Sequence, residues 1–319
     1  METIGNVWLW AGFGGLVVVA LLVDLVLMRH GGAHKVTFKE AAWWSIGWVA
    51  LAMLFNGALW WYLNETSGTV EANRIGLEFL TGYLVEKALA VDNIFVFLML
   101  FTYFAVPEEQ RQRVLVIGIL GAIVLRAILI FVGAALLAKF HWLLYLFGAF
   151  LLLTGIKMWF AAGKEPDLET NPVLRWITGH LPLINRYRGS ALWLGRGKRR
   201  RYTPLFVVLV MIAVTDVIFA VDSIPAIFAI TSDPFIVLTS NVFAVLGLRA
   251  MFFLLAGMAD RFHLLPYGLA VVLAFIGSKM LLVDLYKIPV LWSLGTVAMI
   301  LAVTVVLSLA RPQKAGPAA

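Results

Sequence analysis

Glu86-Lys87-Ala88-Leu89-Ala90-Val91-Asp92-Asn93-Ile94 returns later in the chain as Asp216-Val217-Ile218-Phe219-Ala220-Val221-Asp222-Ser223-Ile224. Each copy lies inside a long apolar stretch, where an ionised carboxylate is costly without a partner. Two acids in each of two such stretches point to a common task, and the reading that fits best is a metal-ion site.

The rest of the chain fits that setting. Its 319 residues are 62% hydrophobic and 13% charged, with a mean hydropathy of +0.94, whereas soluble domains carry about 25% charged residues. An integral membrane protein with many spans follows. There is no cysteine, which removes disulfides, thiolate metal sites and a cysteine nucleophile together. The net charge of +7 does not point to nucleic acid, because the basic excess gathers in one loop. Met1-Glu2-Thr3-Ile4-Gly5 lacks a cationic leader region, and the apolar run to Met28 exceeds a signal-peptide core, so a retained first helix is expected.

Apolar runs of about 20 residues mark transmembrane helices. Nine are expected, at 6–28, 39–63, 78–104, 112–137, 142–162, 204–230, 235–258, 265–286 and 289–309, forming one all-α transmembrane domain over 1–319. The long 163–203 loop carries Lys164, Arg175, Arg186, Arg188, Arg196, Lys198, Arg199, Arg200 and Arg201 against Glu165, Asp167 and Glu169. The positive-inside rule makes that loop cytoplasmic. Counting from it puts the N-terminus outside and the C-terminus inside. Anionic lipid headgroups are a further partner for the basic loop.

The repeat extends beyond the acids. Leu125-Arg126-Ala127 matches Leu248-Arg249-Ala250, Lys139-Phe140-His141 matches Arg261-Phe262-His263, and Gly155-Ile156-Lys157-Met158 matches Gly277-Ser278-Lys279-Met280. Two units of three helices result, 78–162 and 204–286. Three is odd, so the second unit crosses in the opposite sense, an inverted repeat of the kind built into many secondary transporters.

Within each motif the acids are six residues apart, which on an ideal helix is about 120° of rotation and roughly 9 Å of rise. They do not share a face. Convergence would need a local break, and Pro225 supplies a cause in the second copy. At least one motif helix is therefore expected to be broken near its aspartate. The candidate ligands are all oxygen: Glu86, Asp92 and Asn93 from one copy, Asp216, Asp222 and Ser223 from the other. Thr215, Ser240 and Asn241 stand close in sequence. Such donors suit hard divalent cations, Mg²⁺, Ca²⁺ or Mn²⁺. All five histidines lie in loops or at helix ends.

Lys87, Arg126 and Arg249 also fall within spans, as charge-balancing or gating candidates. Lys157 and Lys279 lie nearer helix ends and can snorkel. Asp24 reads as an isolated interfacial acid. Trp43-Trp44 and Trp60-Trp61-Tyr62 form an aromatic belt. No G-x-S-x-G, Walker loop or H-E-x-x-H occurs, so neither an enzyme nor an ATP-driven pump is expected, and no cofactor.

Thr81 to Asn93, Asp216 to Ala229 and Asp233 to Asn241 resemble the TerC family, and within it the Alx-type manganese exporters, over most of the chain. The resemblance implies a bacterial inner-membrane protein exporting Mn²⁺ along the motif acids. Protons are the natural exchange ion, because crowded carboxylates trade protons for metal. Tellurite, an oxyanion, would be repelled by the same carboxylates. Two other readings stay open: a non-transporting scaffold whose acids make structural ion pairs and whose basic loop docks a partner, and a proton or sodium pathway.

Overall fold

Short capping signals set where the helices begin. Thr37 Oγ1 accepts the Glu40 amide, Asn171 Oδ1 accepts those of Val173 and Leu174, and Asp233 Oδ1 accepts that of Phe235, with Pro172 and Pro234 at the first helical positions. The computed structural model describes residues 3–30, 37–162, 171–184, 186–189, 191–195, 200–256, 262–286 and 288–310, without the side chains of 27–30 and Asp92. The helices are α1 Val7–His30, α2 Phe38–Ser67, α3 Thr69–Tyr103, α4 Glu108–Lys139, α5 Leu143–Ala161 and α6 Pro172–His180. They continue with α7 Pro204–Phe228, α8 Pro234–Leu246, α9 Leu248–Ala256, α10 Leu265–Leu281 and α11 Val290–Ala310. Strands β1 Trp193–Leu194 and β2 Arg201–Tyr202 form one antiparallel pair. Gly68 alone joins α2 to α3, at a φ of 89° that glycine tolerates without strain.

Among these helices six (α1, α2, α4, α5, α7 and α11) are long and apolar enough to cross a membrane, or seven if α8 and α9 form one bent span. Nine were expected from the sequence. The difference lies in α3, which carries Glu71, Arg74, Glu78, Glu86, Lys87 and Asp92, and in α10, which is apolar but only 17 residues long. A helix as charged as α3 is tolerated in an apolar layer only when a bundle surrounds its charges. The 163–203 loop is not wholly irregular: its described parts hold α6 and the β-pair.

The expected break at a motif aspartate does not occur. α7 is helical from Pro204 through Asp216, Asp222 and Pro225 to Phe228, and α3 is continuous through Glu86 and Asp92. Pro225 sits in the last turn of α7, where its missing N–H disturbs little before the helix ends, and Ala229 N closes on Pro225 O at 3.0 Å. The break falls instead between α8 and α9 at Gly247, with a bend of 41°.

α5 and α10 pack antiparallel with their backbones in close approach. A Cβ at Gly155 would lie 2.7 Å from Ala270 O and 2.8 Å from Ala274 N. One at Gly277 would lie 2.7 Å from Gly148 O and 2.6 Å from Leu152 N. These contacts are reciprocal: Gly155, Gly148 and Leu152 hold the same repeat positions as Gly277, Ala270 and Ala274.

The two largest of four apolar cores follow one another along the bundle. One gathers Phe79, Tyr83, Ile130, Ile224, Phe235 and Phe243; the other gathers Ile94, Phe101, Leu115, Met211 and Phe252, with Leu174 and Ile177 of α6 inserted into it. On α3 the step from Tyr83 to Ala90 crosses from the first core to the second. On α4 the crossing lies between Ala122 and Ile130, and on α7 between Ile212 and Ala220. Glu86, Arg126 and Asp216 occupy those crossings.

Candidate cation site between the two cores

Arg126 of α4 is the centre of this polar layer and is 1% exposed. Its Nη1 donates to Glu86 Oε1 and, at 3.2 Å, to Asn241 Oδ1 of α8, while its Nη2 donates to Asp216 Oδ1 at 3.2 Å. One guanidinium thus brings together an acid from each copy of the motif. Removing such charges from water costs several kcal/mol per ion, and direct pairing offsets it only with good hydrogen bonding. The described triad holds two acids and one base, so it retains one negative charge when all are ionised.

Much of its hydrogen-bonding capacity is unused. Glu86 Oε2, Asn93 Oδ1, Asp216 Oδ2 and Ser223 Oγ are buried without a partner among the described residues, as are Asn241 Nδ2 and Arg126 Nε. Buried polar atoms are nearly always satisfied, so orphans concentrated on one motif call for a ligand or water. Four of the six proposed ligand residues carry such an oxygen. The Asp92 side chain lies outside the described residues. Asp222 is half-buried and faces α5, where Thr154 Oγ1 donates to its Oδ1 at 3.4 Å. The six-residue spacing on an unbroken α7 therefore sends Asp216 toward α4 and Asp222 toward α5. Among the described residues no three His, Cys, Asp or Glu side chains stand close enough to hold a metal in this arrangement. Arg126 is what separates Glu86 from Asp216.

The other cations go elsewhere. Arg249, the repeat partner of Arg126, pairs with Asp24 of α1 through Nε at 3.0 Å and through Nη2. Asp24 is therefore not isolated; it is 8% exposed and paired. An acid in one apolar helix and an arginine without an acid of its own in another were the available signal. Lys87 Nζ donates to Ala244 O at 3.3 Å. Lys279 lines a cavity of about 800 Å³ with Arg74, Glu78, Thr231 and Asp233, at the α3 N-terminus. There Arg74 bonds both Glu71 and Glu78, each at 2.5 Å, and its hydrogen bond holds the Glu71 carboxyl below the usual glutamate range. On the opposite side Tyr187 donates to Phe104 O at 2.6 Å, and burial pushes its hydroxyl up. Sequence reasoning placed Asn241 only nearby and did not find Thr154.

Residues 71–315 match the family described as integral membrane protein TerC. The chain is 56% identical to Alx of Salmonella typhi over 308 residues, covering 97% of this chain and 96% of that protein, whose name describes it as a proposed membrane-bound redox modulator. It is 54% identical to the Alx protein of Escherichia coli K12 over the same shares of both chains. An uncharacterized membrane protein of Myxococcus xanthus is 45% identical over 318 residues, 99% of this chain and 97% of that one. No solved structure matches.

Proposed function

As a member of the TerC family of integral membrane proteins, this chain is, we propose, a secondary transporter that exports Mn²⁺ from the cytoplasm in exchange for protons. The observation that carries the reading is the set of buried oxygens without partners on Glu86, Asn93, Asp216 and Ser223. On this reading Asp92 and Asp222 complete a hard-oxygen donor set of the kind Mn²⁺ accepts once the ion draws the acids together. Charge supports a divalent guest. Four ionised motif acids set against Arg126 leave three negative charges, an excess that favours a divalent over a monovalent cation.

Arg126 then acts as the resident counter-ion of the metal-free site, giving way when Mn²⁺ or protons arrive. The reciprocal antiparallel packing of α5 and α10 supports two inverted units, 78–162 and 204–286, that rock about a shared axis. With the 163–203 loop in the cytoplasm and the N-terminus outside, the cavity beside Glu78 opens outward. The core containing Leu174 and Ile177 closes the inward side. The setting is the bacterial inner membrane. Without cysteine the chain offers no thiol couple, so a redox effect of the kind named for its relatives would arise through the metal it moves.

The test is Mn²⁺ flux in proteoliposomes containing the native chain, Asp92→Asn or Asp222→Asn. Flux should fall at least tenfold in each variant while both proteins remain folded. Unchanged flux in both removes the assignment. Loss of abundance with no change in cell manganese favours the scaffold, and competition by Na⁺ with no Mn²⁺ movement favours the monovalent pathway.

A further inference from the structure

We infer that the α8–α9 break is a seat for a small monovalent cation, and that the Lys87 ammonium fills it from α3. This goes beyond manganese export and does not depend on it. α8 ends at Leu246, and the carbonyls of a helix C-terminus carry partial negative charge with no amide to satisfy them. Lys87 Nζ donates to one of these, Ala244 O, at 3.3 Å. The Tyr83 ring centroid lies 5.9 Å from the same nitrogen, within the range of a cation–π contact. Among the described residues Lys87 joins no ion pair, although other buried cations of the bundle do.

The seat is cut to the ammonium. A Cβ on Gly247 would stand 2.6 Å from Lys87 Nζ and 3.2 Å from Trp48 Cβ. Glycine at the break therefore makes room for the lysine's position, while its φ of −82° is open to any residue. Carbonyls exposed at interrupted helices are a common means of holding monovalent cations in membranes.

The equivalent positions of the repeat provide an internal control. The position of Lys87 is taken by Val217 on α7, and that of Gly247 by Val124 on α4. α4 runs unbroken through Val124, which is 61% exposed, and Val217 is 38% exposed. The lysine of one unit and the glycine and break of the other thus occur together, and the equivalent positions have none of the three. A lysine placed only for general charge balance would not require a glycine and a helix break opposite it.

The experiment uses the purified full-length protein and its thermal unfolding in methylammonium, potassium or choline chloride at equal ionic strength. Lys87→Ala leaves the seat vacant, so methylammonium or K⁺ should raise its midpoint by roughly 3 °C or more over choline. The native protein should show no such difference, because its seat is filled. Equal midpoints of Lys87→Ala in all three salts overturn the proposal. A second comparison uses Gly247→Ala, which should lower the midpoint in the native background and cost far less in Lys87→Ala, where no ammonium is displaced. Equal losses in both backgrounds also overturn it. Lys87→Met, which keeps the packing of the stem, carries both comparisons if Lys87→Ala is poorly folded. No manganese enters these measurements, so their failure and the failure of the export reading are separate results.

Discussion

Arg126 and Arg249 hold the same place in two copies of one sequence pattern, each following a leucine and preceding an alanine. Arg126 lies on an unbroken helix and bonds Glu86 and Asp216, one acid from each copy. Arg249 comes two residues after the bend at Gly247 and bonds Asp24, from a helix outside the repeat. The bend and the added helix α1 together draw the second arginine away from the motif acids. The difference teaches how a duplicated sequence pattern can still give an asymmetric arrangement of charges. Two arginines on two carboxylates would cancel their charge, whereas one leaves negative charge for a cation.

The largest expected effect tests that contrast directly. Arg126→Leu leaves Glu86 and Asp216 buried side by side without a base, and should cost about 3–5 kcal/mol in denaturant unfolding. A loss below about 1 kcal/mol would mean that the two carboxylates do not depend on it.

Where the halves are alike, they should respond alike. Gly155→Val and Gly277→Val each drive a side chain into the facing backbone, and should each cost about 3 kcal/mol, near the upper end for overpacking. A clear inequality between them would argue against a two-fold relation of α5 and α10.

The Asp24–Arg249 pair is partly exposed and should matter less. Arg249→Met is expected to cost about 2 kcal/mol, and Asp24→Leu combined with Arg249→Met should recover much of that, because no unpaired charge remains. A double variant as unstable as the single would show that the pair does more than satisfy its own charges.

The smallest effect lies outside the site. Arg74 holds the exposed Glu71 carboxyl below its ordinary value of 4.5, so the pair's stabilisation is present above that value and lost as pH falls through the lowered one. Glu71→Gln should cost about 0.5 kcal/mol or less at neutral pH and nothing in acid.

The helices were legible because the signal is local: apolar runs and capping residues act within a few positions of themselves. The site was partly legible on the same ground, since acids in apolar stretches stand out wherever they lie. Glu86 and Asp216 were singled out as ligands and prove to share Arg126. The location of the break was misread, because Pro225 is conspicuous in sequence but sits where its helix is already ending. Gly247 looks like any glycine in an apolar run until Lys87 and Trp48 are seen packed against it.

By itself, then, the sequence determined the class of protein, the doubled motif and the hard-oxygen chemistry of its side chains. Those depend on composition and short spacings. Only the tertiary structure decided which of two equivalent arginines meets the acids, that Asp216 and Asp222 face different helices, and that a lysine closes a helix break. Those depend on the rotation of each helix against its neighbours, which is set by packing between residues far apart in the chain.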